Sequence, residues 1–173
     1  MFRQRSLRQR LLHQRLLSSI ASKRIQGSLR GKTGQKIVVG DWAAVDTLIE
    51  ERDVTAFATL TGDCNAIHID EDFAKLSRFT KRIAHGFLVA SAIPMLFAHC
   101  LPGSIYRAQT LRFTRPVFLN DTVTTTISVV NMDHKPRNIG TIVECSTKCV
   151  VWRDSKSVEV IVGSAEVLIP AES

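Results

Sequence analysis

The sequence predicts an α+β domain in which an antiparallel β-sheet wraps round one long, buried central helix. Between Arg82 and Arg107 there is no Asp, Glu, Lys or Arg, and the middle of that interval, GFLVASAIPMLFAHC, is apolar on nearly every face. A helix of that kind is expected to be buried all round. After it come four stretches with strand character, alternating apolar with polar residues. Residue types that reverse a chain separate them.

Residues 1–35 read as a leader and residues 36–173 as a single domain. The chain has 173 residues, 45% of them hydrophobic, which suffices for one proper core and is too short for two large ones. The net charge of +7 points at first to nucleic acid, but its distribution does not. Residues 1–36 hold ten Lys or Arg and no acid, so residues 37–173 keep 13 basic against 16 acidic residues, a net charge of −3. The leader is rich in Arg and Ser and spaces its leucines so that a helix would carry an apolar stripe. It resembles a mitochondrial transit peptide, which implies the matrix, and it lacks the continuous apolar core of a secretory signal. A basic tail that contacts RNA or anionic lipid is the alternative. Cleavage is expected between residues 17 and 35, with Arg15-Leu-Leu-Ser18 one candidate site.

Along the domain, 36–40 is a candidate first strand and 50–60 a short helix, stopped by Gly62, Asp63 and Asn65. The apolar helix follows, with Pro94 kinking it or dividing it in two. Ser91, Pro94 and His99 interrupt it, and it falls short of the about 20 apolar residues of a membrane span. No membrane or nucleic-acid partner is expected of the domain. The strands are expected at 104–118, 122–132, 140–152 and 157–168, with turns at 119–121, 134–138 and 153–155. Val123, Thr125, Ile127 and Val129 alternate with polar neighbours, as do Val143, Cys145, Thr147, Cys149 and Val151, so one sheet face is buried. The four cysteines form no CxxC and no zinc spacing with His, and free thiols are expected. His99 reads as a core residue and His134 as a turn residue.

The stretch FATLTGDCNAIH, 57–68, gathers an aspartate, an asparagine and a histidine beside a glycine. On a regular helix, side chains five residues apart diverge by roughly 140°, so Asp63 and His68 meet only if the helix ends between them. The structural alternative is that Asp63 or Asn65 caps a neighbouring helix and His68 is simply half-buried. Cys64 has no basic partner that would make it a nucleophile.

This segment, continued to Ala74, is similar to the signature of the R-specific enoyl hydratases of the MaoC-like, hot-dog-fold superfamily: an aromatic, small residues, Gly-Asp-x-Asn-x-aliphatic-His, then a small residue six positions on. A second hallmark, His85-Gly86, follows at the family's distance and opens the apolar helix. Ala66 departs from the family's usual proline there, which loosens the loop without removing a chemical group. The resemblance covers about residues 37–170 and implies a single hot-dog domain, a homodimer with sheets side by side, no metal and no redox cofactor. It also implies dehydration of (R)-3-hydroxyacyl thioesters, reversible as hydration of enoyl-CoA, in mitochondrial fatty acid synthesis. That chemistry needs a base, an acid and a hydrogen-bond donor for an enolate-like oxygen. Asp63, His68 and the Gly86 N–H are the expected groups, the Asp63 and His68 roles being interchangeable at this point. Asn65 and Phe87 are expected at the substrate, His85 is expected either to support the loop beside the oxyanion position or to touch substrate, and acyl carrier protein or coenzyme A thioesters are the expected partners. Lys75, Arg78, Lys81 and Arg82 form either a carrier-docking patch or an ordinary solvated helix face. The alternative activity is a thioesterase, which in related hot-dog proteins uses a carboxylate on the long helix; 87–101 holds none. A degenerate acyl-thioester-binding module is the remaining alternative.

Overall fold

The computed structural model describes residues 25–29, 37–136 and 139–171. Most of the leader lies outside the described residues. In chain order the elements are β1 (Trp42–Leu48), α1 (Glu51–Thr61), α2 (Ala66–Ile69), α3 (Glu71–Leu76), α4 (Gly86–Ala90), α5 (Ala92–Cys100), β2 (Ile105–Phe113), β3 (Thr122–Lys135), β4 (Gly140–Arg153) and β5 (Lys156–Pro170). The strands form one antiparallel sheet in the order β1-β3-β4-β5-β2. This is the expected α+β architecture, with α5 packed against β1 and β3.

The period-two pattern places the core. Val123, Thr125, Ile127 and Val129 of β3 and Val143, Cys145, Thr147, Cys149 and Val151 of β4 are all buried, and Ile93, Leu96 and Phe97 of α5 belong to the same cluster. Full burial of each large aliphatic or aromatic side chain contributes roughly 1.5–3 kcal/mol. The two buried threonines need partners, and Thr125 Oγ1 meets Cys149 Sγ at 3.5 Å. Between β4 and β5, Asp154 and Ser155 take φ values of 50° and 61°, the left-handed pair that a two-residue hairpin turn requires. Before β3, the Asp121 carboxylate accepts hydrogen bonds from Phe118 N at 2.8 Å and Arg153 Nη2 at 2.6 Å, which anchors the loop carrying Arg115–Asn120.

Several expectations are corrected. The first strand is Trp42–Leu48, not 36–40. Residues 37–40 turn instead, with the Asp41 carboxylate accepting from Val38 N at 2.9 Å and Gly40 at φ 95°. The apolar helix divides at Ser91, and Pro94 is the third residue of α5, inside the first turn, where a missing N–H breaks no helical bond. That helix is not buried all round. Phe87, Ser91, Pro94 and Ala98 are exposed along one stripe, Phe87 to 66%, and His99 is exposed with Nδ1 3.0 Å from the Met95 carbonyl. A single sheet covers one side of a helix, so the other side stays open. His134 is the penultimate residue of β3 rather than a turn residue, and bonds Thr141 Oγ1 at 2.8 Å.

Five residues assigned to the leader pack on the domain. Ile25 and Leu29 are buried, Gln26 and Ala44 exchange backbone hydrogen bonds of 2.8 and 2.9 Å, and Leu29 N reaches the Trp42 carbonyl at 3.0 Å. The folded part therefore includes Ile25–Leu29 ahead of β1.

Candidate active site

Helix α1 ends because Gly62 adopts φ 78°, the left-handed stop favoured by glycine, with its N–H on the Ala58 carbonyl. The chain then changes direction. Asp63 N donates to Thr61 Oγ1 at 3.2 Å, and Asn65 caps α2 by accepting from Ile67 N at 3.3 Å. The capping alternative thus holds for Asn65 while Asp63 leaves its carboxylate exposed at the loop. His68 lies on α2 and is half-buried, its Nδ1 2.8 Å from the Ile83 carbonyl. A carbonyl only accepts, so Nδ1 carries hydrogen and Nε2 is the atom left to exchange a proton.

The segment Ile83–Gly86 meets this loop. Ile83 N donates to the Ile67 carbonyl at 3.3 Å and Ala84 N to the Val117 carbonyl at 2.8 Å. His85 is 2% exposed, with Nε2 2.9 Å from the Asp63 carbonyl. Its ring stacks on that of His68, centroids 3.9 Å apart, a placement that fits the loop-supporting alternative better than substrate contact. Gly86 opens α4, and a Cβ there would sit 2.6 Å from the Phe113 ring. A carboxylate oxygen of Asp63 and a ring nitrogen from each of His68 and His85 fall within 4.8 Å of one another. The arrangement suits proton transfer at one spot.

Beside it is a cavity of about 390 Å³ lined by His68, Gly86, Phe87, Phe113, Arg78 and Arg115 among others. A larger space of about 1250 Å³ lies between α1, β1 and the central helices, touching the first through Val89. We place the chemistry at the smaller one, because His68 and Gly86 line it.

The basic cluster is not one unit. Arg82 bridges Glu51 and Glu71 at 2.9 and 3.1 Å, tying α1 to α3, and Lys75 pairs with Asp72 at 3.2 Å. Arg78 lies over the Phe79 ring, 4.7 Å from its centroid, and lines the cavity; Lys81 is exposed. Arg115, which no local pattern marks, joins Arg78 at that cavity only through the turn after β2.

A model of the MaoC like domain matches residues 28–148. An (R)-specific enoyl-CoA hydratase of Rhodospirillum rubrum is 37% identical over 139 residues, covering 79% of this chain and 91% of the relative. A mitochondrial 3-hydroxyacyl-[acyl-carrier-protein] dehydratase of Arabidopsis thaliana is 29% identical over 153 residues, covering 88% of this chain and 83% of the relative. The solved structure of the (R)-hydratase from A. caviae involved in PHA biosynthesis superposes with a TM-score of 0.70 at 33% identity, covering 79% of this chain and 99% of that one.

Proposed function

The chain belongs to the MaoC-like dehydratase family and is a hydro-lyase, and from that premise we propose that it reversibly removes water from (R)-3-hydroxyacyl thioesters. Asp63 takes the proton from C2, and the electrons of that C–H bond become the C2=C3 double bond. The C3–O bond breaks, and the oxygen leaves as water with the proton given by His68 Nε2. Gly86 N–H binds the thioester oxygen as it gains charge, Asn65 orients the water or hydroxyl, and Phe87 flanks the acyl chain. Hydration runs the same steps backwards. The observation that carries the reading is the meeting of Asp63 and His68 within 4.8 Å beside the cavity that Gly86 lines.

The handle carrying the acyl group is the phosphopantetheine of an acyl carrier protein, or coenzyme A in the reverse reaction. Arg78 and Arg115 at the cavity favour such an anion. The acid-free leader and the mitochondrial relative in Arabidopsis thaliana support a place in the matrix and a role in fatty acid synthesis. The protein works as a homodimer, because the exposed stripe of α4 and α5 and the apolar residues of edge strand β2 call for a cover. Ultraviolet absorbance of crotonyl-CoA mixed with the full-length chain tests the reaction: the enoyl signal should fall and no free thiol should appear. Release of thiol would mean thioester hydrolysis, and an inert mixture at every acyl length and handle would mean a binding module.

A further inference from the structure

On the hydro-lyase reading above, we propose that His85 is a positioning residue: it holds Asp63 and His68 in one geometry without touching substrate. Its side chain is 2% exposed and does not line the cavity beside His68. The Nε2 atom, 2.9 Å from the Asp63 carbonyl, must donate to it, which fixes the tautomer. Nδ1 is buried with no partner among the described residues. An imidazole with an orphaned nitrogen is a poorer core filler than an apolar ring of similar size. Packing alone therefore does not call for a histidine, whereas a phenyl ring could not tether the Asp63 carbonyl.

The tether matters because the loop has little else. Among the described residues, the other hydrogen bonds of 62–65 stay within four positions along the chain: Gly62 N to Ala58 O, Asp63 N to Thr61 Oγ1, Cys64 N to Gly62 O, Asn65 N to Asp63 Oδ1, Ile67 N to Asn65 Oδ1 and His68 N to Asn65 O. The bond from His85 spans 22 positions and joins the loop to the start of α4. The same ring sets the plane of His68, with centroids 3.9 Å apart and planes 31° apart, while Phe57 of α1 lies 5.1 Å from the His85 ring. Because His85 also immediately precedes Gly86, one residue registers the base, the acid and the backbone donor against each other. Misplacement of a reacting group by about 1 Å costs on the order of 10²-fold in rate.

The test compares wild type, His85→Phe and His85→Gln in the full-length chain, by crotonyl-CoA turnover and by amide hydrogen exchange. Phenylalanine keeps the ring and the stack but has no donor; glutamine offers a side-chain N–H near the place of Nε2. His85→Phe should lower kcat roughly 10²-fold with KM little changed, and should speed exchange in 62–68 while leaving β4 protected. His85→Gln should recover most of the turnover and the wild-type exchange. Wild-type kcat and exchange in His85→Phe, or His85→Gln no better than His85→Phe, would overturn the role. So would a rise in KM with kcat intact, which would make His85 a substrate contact. If wild type fails to hydrate crotonyl-CoA, the hydro-lyase reading falls, and the exchange comparison alone still decides whether His85 tethers the loop.

Discussion

Asp63 and His68 are five positions apart and meet only because Gly62 stops α1 between helix and loop. All three types are adjacent in the chain, so the pair is readable from one short stretch. That His85 supports the loop can be expected from its place before Gly86, but its partners cannot, since they are a carbonyl 22 positions away and a ring on another helix. The same limit applies to the cations. Four basic residues between 75 and 82 look equivalent in the sequence, yet Arg82 is spent on Glu51 and Glu71, while Arg78 faces the cavity with Arg115, far away in the chain. Arg78→Glu should therefore raise KM for a carrier-bound substrate and barely change kcat, whereas Arg82→Glu should lower the melting temperature by separating α1 from α3. Steady-state kinetics and melting curves read both, and an unchanged KM in Arg78→Glu would remove Arg78 from the docking role.

Strands β3 and β4 are legible because their inward residues alternate over long runs. β1 is not, since Ala43, Ala44 and Val45 are consecutive buried residues and hide the period. The helices α4 and α5 mislead in the other direction: an apolar sequence leads one to expect burial all round, whereas in this chain one stripe of the helices stays exposed. On β4, burial pushes the Cys145 thiol up from 9.0 to about 12, and burial likewise raises Cys149 against the weaker opposing effect of its Thr125 hydrogen bond. A folded value above the unfolded one favours the neutral thiol in the native state. Its stabilising contribution is therefore complete below about pH 9 and is lost as pH rises towards about 12. The melting temperature should decline across that window. Cys64 is exposed and Cys100, Cys145 and Cys149 are buried, so a thiol reagent at neutral pH should label one cysteine quickly and three only after unfolding. Rapid labelling of two or more would contradict the described core.

For the whole molecule, the open side of α4 and α5 and the exposed Ile105, Tyr106 and Phe113 of β2 are the surfaces that the proposed homodimer would cover. Light scattering should give twice the chain mass; a monomer at micromolar concentration would contradict the dimer. The leader gives a second expectation at this scale. Ile25 and Leu29 are core residues, so if the leader is removed as proposed, the mature protein should begin at or before Ile25, and N-terminal sequencing that starts after Leu29 would contradict the packing described for 25–29. The homodimer is expected from the family resemblance and cleavage from the leader's composition, but which surface would be covered and how far the folded part extends depend on tertiary contacts that local pattern does not give. The central claim is that Asp63 and His68 carry a stereospecific elimination at one cavity. It is tested most directly by the chirality of the 3-hydroxybutyryl-CoA formed from crotonyl-CoA, measured for wild type and for Asp63→Asn. The account predicts the (R) product from wild type and a rate lower by about 10²- to 10⁴-fold in the variant; (S) or racemic product, or an undiminished variant, would contradict it.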